Sequence, residues 1–166
     1  MITNFFSPLE FQVSVSRMPN VEFFTQRISI PSISGETAIM TTPFNPLHFT
    51  PDKLQFSPLD LQFIVDEKME NYIEMLNWMK GSTFPENYEQ FKNLAQSKEG
   101  IFSDITILMT NSSKNIFMKA EFKNCTPTSL SEIQLDTTIP DVVYPVCTAT
   151  FAYSYFNISP YKDLLS

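Results

Sequence analysis

His48 is the chain's single histidine, and any Ser-His-Asp triad or histidine-containing metal cluster has to use it. It lies in a proline-rich stretch, where a loop or interface role suits it better than catalysis. Cys125 and Cys147 have no ligand neighbour at zinc spacing, and two cysteines cannot frame a disulfide scaffold. Both fall in strand-like segments and read as buried, reduced thiols. Asp66, Glu67, Glu70 and Glu74 crowd the start of a helix, where dipole complementarity and a solvated face account for them without general acid/base work. No spacing singles out a glycosidase pair among the acids. Gly35, Gly81 and Gly100 stand too far apart for a phosphate-cradling loop, and the basic residues are not clustered. The expectation is a protein that is not an enzyme and carries no cofactor and no metal.

The elements that hold these residues alternate more than they repeat at helical spacing. Glu10 to Arg17 is a half-buried strand with Phe11, Val13 and Val15 inward. Pro19-Asn20 predicts a turn, and Val21 to Ile30 a second strand whose adjacent Phe23 and Phe24 give it mixed faces. Leu59 to Val65 alternates again. Asp66 then reads as the N-cap of the main helix, about Glu67 to Lys80, with a stripe of Met69, Ile73 and Leu76 and with Gly81 just past its end. Trp78 falls beside that stripe, as a core residue or as a lateral contact. A second, weaker helix starts near Pro85 and runs to about Gln96, carrying Tyr88, Phe91 and Leu94. Asp104 to Thr110, a turn at Asn111 to Asn115, and Ile116 to Lys123 form a hairpin. Thr126 to Ser129 punctuates the chain, and Pro140 and Pro145 bracket a loop. A closing strand, Val146 to Phe156, places Cys147, Ala149, Phe151, Tyr153 and Tyr155 on one face. The fold class expected is mainly β, a sandwich or barrel of six to seven antiparallel strands with one main flanking helix.

Residues 31–58 break the pattern. Five of the twelve prolines lie there, with Gly35 and many Ser and Thr. The stretch reads as a long hairpin-like excursion with strand segments near Thr37 to Thr42 and Lys53 to Phe56. Its apolar residues Ile39, Met40, Phe44, Leu47 and Phe49 need a neighbour to cover them. Long excursions of this kind are functional or disordered, and the aromatic content argues against disorder.

Composition points the same way. The chain of 166 residues holds 16 Phe, 6 Tyr and 8 Met against 3 Gly, while charged residues are only 17%. A chain of this length suits a single domain spanning 1–166. Such a domain cannot bury that much aromatic area and still solvate its surface with so few charges, so part of its apolar surface is expected against partners. The net charge of −7 opposes nucleic-acid wrapping, because Lys and Arg are what displace counterions from phosphate. An acidic wall can still let DNA slide past unbound. Met1 to Pro8 lacks a basic region followed by a long apolar run, and no 18 apolar residues run together, so neither a signal peptide nor a membrane span is expected.

Several segments, in this order, resemble the tail tube protein family of contractile-tailed phages of the T-even type. Ser7-Pro8-Leu9-Glu10-Phe11-Gln12-Val13 is similar to the family's polar lead into a first strand, and Ile30-Pro31 to a second strand ending in a proline-bounded loop. Leu61 to Trp78 follows the family's strand and helix with its tryptophan. Ala120 to Asp136 resembles its strand, proline turn and short L-x-L-D segment, and Thr148 to Phe156 its closing strand.

The resemblance implies a virion protein of the tail, made and assembled in the host cytoplasm. Its hexameric rings stack, and each subunit contributes strands to an inner barrel through which DNA passes without specific binding. The implied partners are other copies of itself and sheath, baseplate or neck proteins, with no membrane. Under that reading Ile39, Met40, Phe44, Leu47 and Phe49 make contacts between subunits or rings. Asp60, Gln62, Thr148, Thr150 and Ser154 face the lumen, although an ordinary solvated sheet face would carry the same residues. Residues 1–9 form an N-terminal arm. Two departures from the family pattern, the proline content of 31–58 and an extension over 157–166, suit equally a specialised ring at a tube end, an initiator, adaptor or terminator, and simple variation between lineages. The main expectation is the repeating tube subunit, with the tube-end ring and a stand-alone β-sandwich binding module as alternatives.

Overall fold

The computed structural model describes residues 10–37, 39–51, 53–83, 88–97, 100–111, 113–138 and 143–161. The elements in chain order are β1 (Phe11–Val15), α1 (Pro19–Phe24), β2 (Thr25–Ile28), β3 (Ile33–Gly35), β4 (Ile39–Met40), β5 (Leu47–His48), β6 (Leu54–Phe56) and β7 (Leu59–Ile64). They continue with α2 (Glu70–Thr83), α3 (Tyr88–Ala95), β8 (Ser103–Thr110), β9 (Ile116–Leu130), β10 (Val146–Ala152) and β11 (Tyr155–Pro160).

Seven strands form one antiparallel sheet in the order β1-β8-β9-β10-β7-β2, with β11 added on β9. The long strand β9 belongs to two ladders. Met118 to Phe122 pairs with both β8 and β11, whereas Thr126 to Leu130 pairs with β10. Between these halves Asn124 takes a left-handed φ of 56°. Asp104 holds that bend: one carboxylate oxygen accepts from the Asn124 amide at 3.2 Å and the other from Lys123 Nζ at 2.6 Å. The sheet therefore folds over on itself. The alternating apolar residues of its two halves meet inside, Val13, Val15, Ile105, Ile107, Ala120 and Phe122 from one, Leu59, Leu61, Phe63, Cys147, Ala149 and Phe151 from the other. The layer closes with Met75 and Trp78 of α2, Val21 of α1 and Leu94 of α3. This is the mainly β sandwich with one main helix that the alternation predicts.

The structure corrects several local expectations. Pro19-Asn20 starts α1 instead of making a turn, and the strand expected over 21–30 shrinks to Thr25–Ile28. Proline in the first turn favours a helix, and adjacent Phe23 and Phe24 suit a helical turn better than a two-faced strand; the Phe23 side chain lies outside the described residues. The main helix starts at Glu70, after Met69 in the left-handed region (φ 57°), so Asp66 is not its N-cap. Instead the buried Asn71 amide donates to Ile64 O at 2.8 Å, tying the first turn to the end of β7.

Helix α2 buries Asn71, Met75, Trp78 and Gly81, while Met69 and Ile73 are exposed; the expected stripe is rotated off the core. Gly81 is no C-terminal cap. It sits inside the helix where a Cβ would come 3.0 Å from Leu94 Cδ2, so its missing side chain lets α3 pack close. The punctuation expected at Thr126 to Ser129 lies inside β9. There the register with β10 shifts between Thr150 and Phe151, and Pro127, which has no N–H to offer the ladder, is accommodated opposite Phe151. The closing strand is two strands. Chain direction changes at Tyr153 and Ser154, so Phe156 is buried and Tyr155 exposed, and residues expected in a C-terminal extension, Asn157–Pro160, belong to β11. The N-terminal arm 1–9, Pro85, Pro140 and residues 162–166 lie outside the described residues.

Candidate functional site

The excursion forms a narrow hairpin. Strands β3 and β6 pair at its base, Ile33 opposite Phe56, and β4 and β5 pair further out, Ile39 opposite His48. The Thr42 hydroxyl donates to Asn45 O and accepts from the Asn45 amide, closing the tip. Close approach of the two arms explains Gly35, where a Cβ would stand 2.8 Å from Pro51. The base is tied to the sheet. Tyr153 Oη donates to Ser57 O at 2.8 Å, and the Ser57 amide donates to Ser32 O at 3.1 Å. Phe56 packs edge-on against Phe156 at 5.5 Å between centroids, and Phe156 stacks on Phe122 at 5.3 Å. Burial in this aromatic group raises the Tyr153 phenol above its ordinary pKa.

Away from its base the hairpin touches little. Ile39, Met40, Phe44, Leu47 and Phe49, which the sequence singles out, are all exposed, Phe44 at 93%. His48 is exposed beside them. A hairpin tied at its base by aromatic packing and left exposed along its length is an apolar surface that no other described residue covers.

The second surface is the outer face of β2, β7 and β10. Asp60 stands opposite Thr150, and Gln62 opposite Thr148. Thr150 Oγ1 donates to Asp60 Oδ1 at 2.7 Å. Arg27 and Ser29, which the sequence reading missed because it assigned 21–30 to a mixed-face strand, complete a shallow depression of about 210 Å³ with Asp60, Gln62 and Thr148. Four of the five residues expected on this face are thus brought together. Ser154 is not among them, because β10 ends at Ala152 and the Ser154 amide donates to Lys123 O at the other half of the fold.

Both edges of this half-sheet are open. Among the described residues β2 pairs only with β7, and Thr126 to Leu130 of β9 pairs only with β10. A third surface lies where β9 leaves the sheet and β10 enters it. The connection exposes Leu135, Val143 and Tyr144 around a depression of about 710 Å³. The sequence reading saw only a proline-bracketed loop there.

Trp78 and the two cysteines are absorbed by packing. Trp78 is buried, with Nε1 donating to Ile101 O at 2.9 Å, its ring 5.9 Å from Phe151 and the Arg17 guanidinium 5.4 Å above it. That settles it as a core residue. Cys125 and Cys147 are free and buried; burial pushes the Cys125 thiol up to about 12 and raises Cys147 as well.

No protein-family model matches the chain. The tail tube terminator protein of Enterobacteria phage T4 is 32% identical over 154 residues, covering 89% of this chain and 85% of the relative. Among solved structures, a chain of the anti-feeding prophage cap (the tube terminating cap) superposes with a TM-score of 0.69 at 18% identity, covering 97% of this chain and 95% of that one. A chain of the PVC sheath/tube terminator, from an extracellular contractile injection system in its extended state, gives 0.64 at 20% identity and covers 96% of this chain and 99% of that one.

Proposed function

Because the chain belongs to the family of tail tube terminator proteins of contractile-tailed phages, we propose that it forms the ring that ends the inner tube of such a tail. The main expectation from sequence, the repeating tube subunit, gives way to the tube-end ring that stood as its alternative. The relationship to a terminator over most of the chain carries that change. The role is structural and not catalytic, and the whole chain serves as one tail tube-like domain of a virion tail component assembled in the host cytoplasm.

Parity of the half-sheet supports closure into a ring. The second half of β9, then β10, β7 and β2, make four strands that alternate in direction. Its two edge strands therefore run antiparallel to each other. When β2 of one copy meets β9 of the next, alternation continues around the ring without a break. A closed barrel of this kind leaves no edge for misassembly. In a hexamer the polar face carrying Arg27, Asp60, Gln62, Thr148 and Thr150 turns to the lumen. Asp60 offsets Arg27 there, and with no cluster of cations the wall gives DNA no strong hold. The hairpin, with Phe44 near its tip, projects from the sheet end and docks on the neighbouring ring. Sheath, baseplate or neck proteins meet the remaining outer surfaces.

Negative-stain microscopy and light scattering of the purified protein test this reading. A terminator gives single six-fold rings whose mass stays at six copies as concentration rises. Long self-assembled tubes would restore the repeating-subunit reading, and a monomer at all concentrations would end both.

A further inference from the structure

The strand register places the hairpin and the β9–β10 connection at opposite ends of the half-sheet. The hairpin leaves β2 after Ile28 and enters β7 at Leu59, which pairs with Phe151 at the end of β10. The connection enters β10 at Val146, which pairs with Ile64 at the far end of β7. Five residue steps along β7, from Leu59 to Ile64, separate the two ends, about 17 Å.

The two ends differ in chemistry. Residues 39–51 contain no Lys, Arg, Asp or Glu, so the outer hairpin is apolar and uncharged apart from His48. At the other end Leu135 (89% exposed), Val143 (64%) and Tyr144 (67%) flank the depression together with the carboxylates of Glu132 and Asp136. The Thr138 hydroxyl and amide both donate to Asp136 Oδ1, at 2.7 and 2.8 Å, and hold its carboxyl below the usual range. No Lys, Arg or His occurs from Asn124 to Tyr161, so this part of the chain supplies its carboxylates with no cation of its own.

Resting on the ring reading above, we infer that the β9–β10 connection is a second docking surface, for a segment of a different chain that places an apolar side chain beside Lys or Arg. A second copy is the wrong occupant. Its outer hairpin, with no Lys or Arg over residues 39–51, would fill the apolar depression but desolvate two carboxylates that Gln134 and Thr138 hold by neutral hydrogen bonds, with no cation to pair them, which is costly. A repeating subunit needs its two ends to complement each other, because head-to-tail contacts must recur at every ring. Here they do not, and stacking stops at one ring. The partner's basic residues supply both attraction and discrimination against self-stacking.

Photo-cross-linking in assembled tails tests this. A benzoylphenylalanine is placed at position 44 in one variant and at position 135 in another, each supplied to infected host cells, and the cross-linked peptides from purified tails are sequenced by mass spectrometry. Position 135 is expected to join a chain other than this one and other than the partner of position 44, in a segment with an apolar residue within two positions of Lys or Arg. Adding Glu132→Lys and Asp136→Lys is expected to lower the position-135 yield about tenfold or more while leaving the position-44 yield unchanged. A cross-link from 135 to this same chain or to the position-44 partner overturns the inference, as does a segment without a basic residue, or no cross-link when position 44 gives one. Failure at position 44 alone counts against the ring reading instead.

Discussion

Phe44→Ala separates an assembly residue from a folding residue, because the two roles predict effects of opposite size. With 93% of Phe44 exposed in the single chain, its removal leaves no cavity and breaks no core contact. Folding stability should change by less than about 0.5 kcal/mol, which for a domain of this size moves Tm by no more than about 2 °C. Docking is another matter. Burying a Phe side chain that starts in water yields roughly 1.5–3 kcal/mol. At about 2 kcal/mol for each copy, six copies seated together lose about 12 kcal/mol, the equivalent of a nanomolar dissociation constant reduced to none. The hairpin's base is held by the Tyr153–Ser57 hydrogen bond and the Phe56–Phe156 packing, so its shape should survive the truncation. The assay pairs thermal unfolding of the isolated protein with electron microscopy of tube ends after mixing variant protein with uncapped tubes from the same phage. Wild-type melting with bare tube ends is the expected pair of results. Capped ends at wild-type frequency would refute the argument for a buried Phe44, and a Tm lowered by 5 °C or more would place it in the fold.

Gly81→Ala sets the better helix propensity of alanine, about 1 kcal/mol, against overpacking on Leu94, about 1–3 kcal/mol. Tm should therefore fall, by about 3 °C, and a rise would show that α3 shifts freely. Asp104 is held below its ordinary pKa by Lys123, so it stabilises the fold above about pH 4 and loses that contribution as the pH falls through its lower folded value. Asp104→Asn should melt below wild type at pH 7, by no more than about 1 kcal/mol for so exposed a pair, and the gap should close in acid; a gap that persists in strong acid would contradict the pairing. The Cys125 thiol, raised to about 12, keeps its proton in the folded state while the unfolded chain starts to ionise near pH 9, so its contribution to stability is complete below pH 9 and falls between 9 and 12. Cys125→Ala should remove part of that alkaline decline, and the native thiol should resist iodoacetamide at pH 8 until the protein is unfolded.

Where one face of a segment is buried and the other is wet, the sequence carries its own answer. Val13 and Val15, Ile105 and Ile107, and Leu59, Leu61 and Phe63 all alternate, and all are found inward. The hairpin was legible for the opposite reason, since apolar residues among prolines have no core to join. Prediction failed where tertiary contacts override the local signal. Nothing near Gly81 announces Leu94 across the helix pair, so a glycine near a helix end reads as a cap. Pro127 reads as a break because its accommodation depends on the shifted register with Phe151, a residue remote in sequence. The polar face was half legible: Thr148 and Thr150 alternate, but pairing them with Gln62 and Asp60, and recruiting Arg27, requires the strand order.

The distinction between a ring that repeats and a ring that ends a tube is lost to sequence for a related reason. Lateral closure asks only for two antiparallel edges, and the half-sheet supplies them whether or not another ring follows. On the inference above, growth stops because the two axial ends do not match, and an end is defined by strand register, not by position along the chain. The hairpin precedes β7 and the β9–β10 connection precedes β10, yet antiparallel pairing sends them to opposite ends of the same sheet. Net charge hides the mismatch as well. The overall value of −7 gives no sign that residues 39–51 carry no formal charge while residues 124–161 contain acids and no base. With the strands in place, the same counts become one uncharged apolar end and one acidic apolar end. On that inference, a stack built only of this chain would bury the second against the first with no Lys or Arg from residues 39–51 to pair its carboxylates.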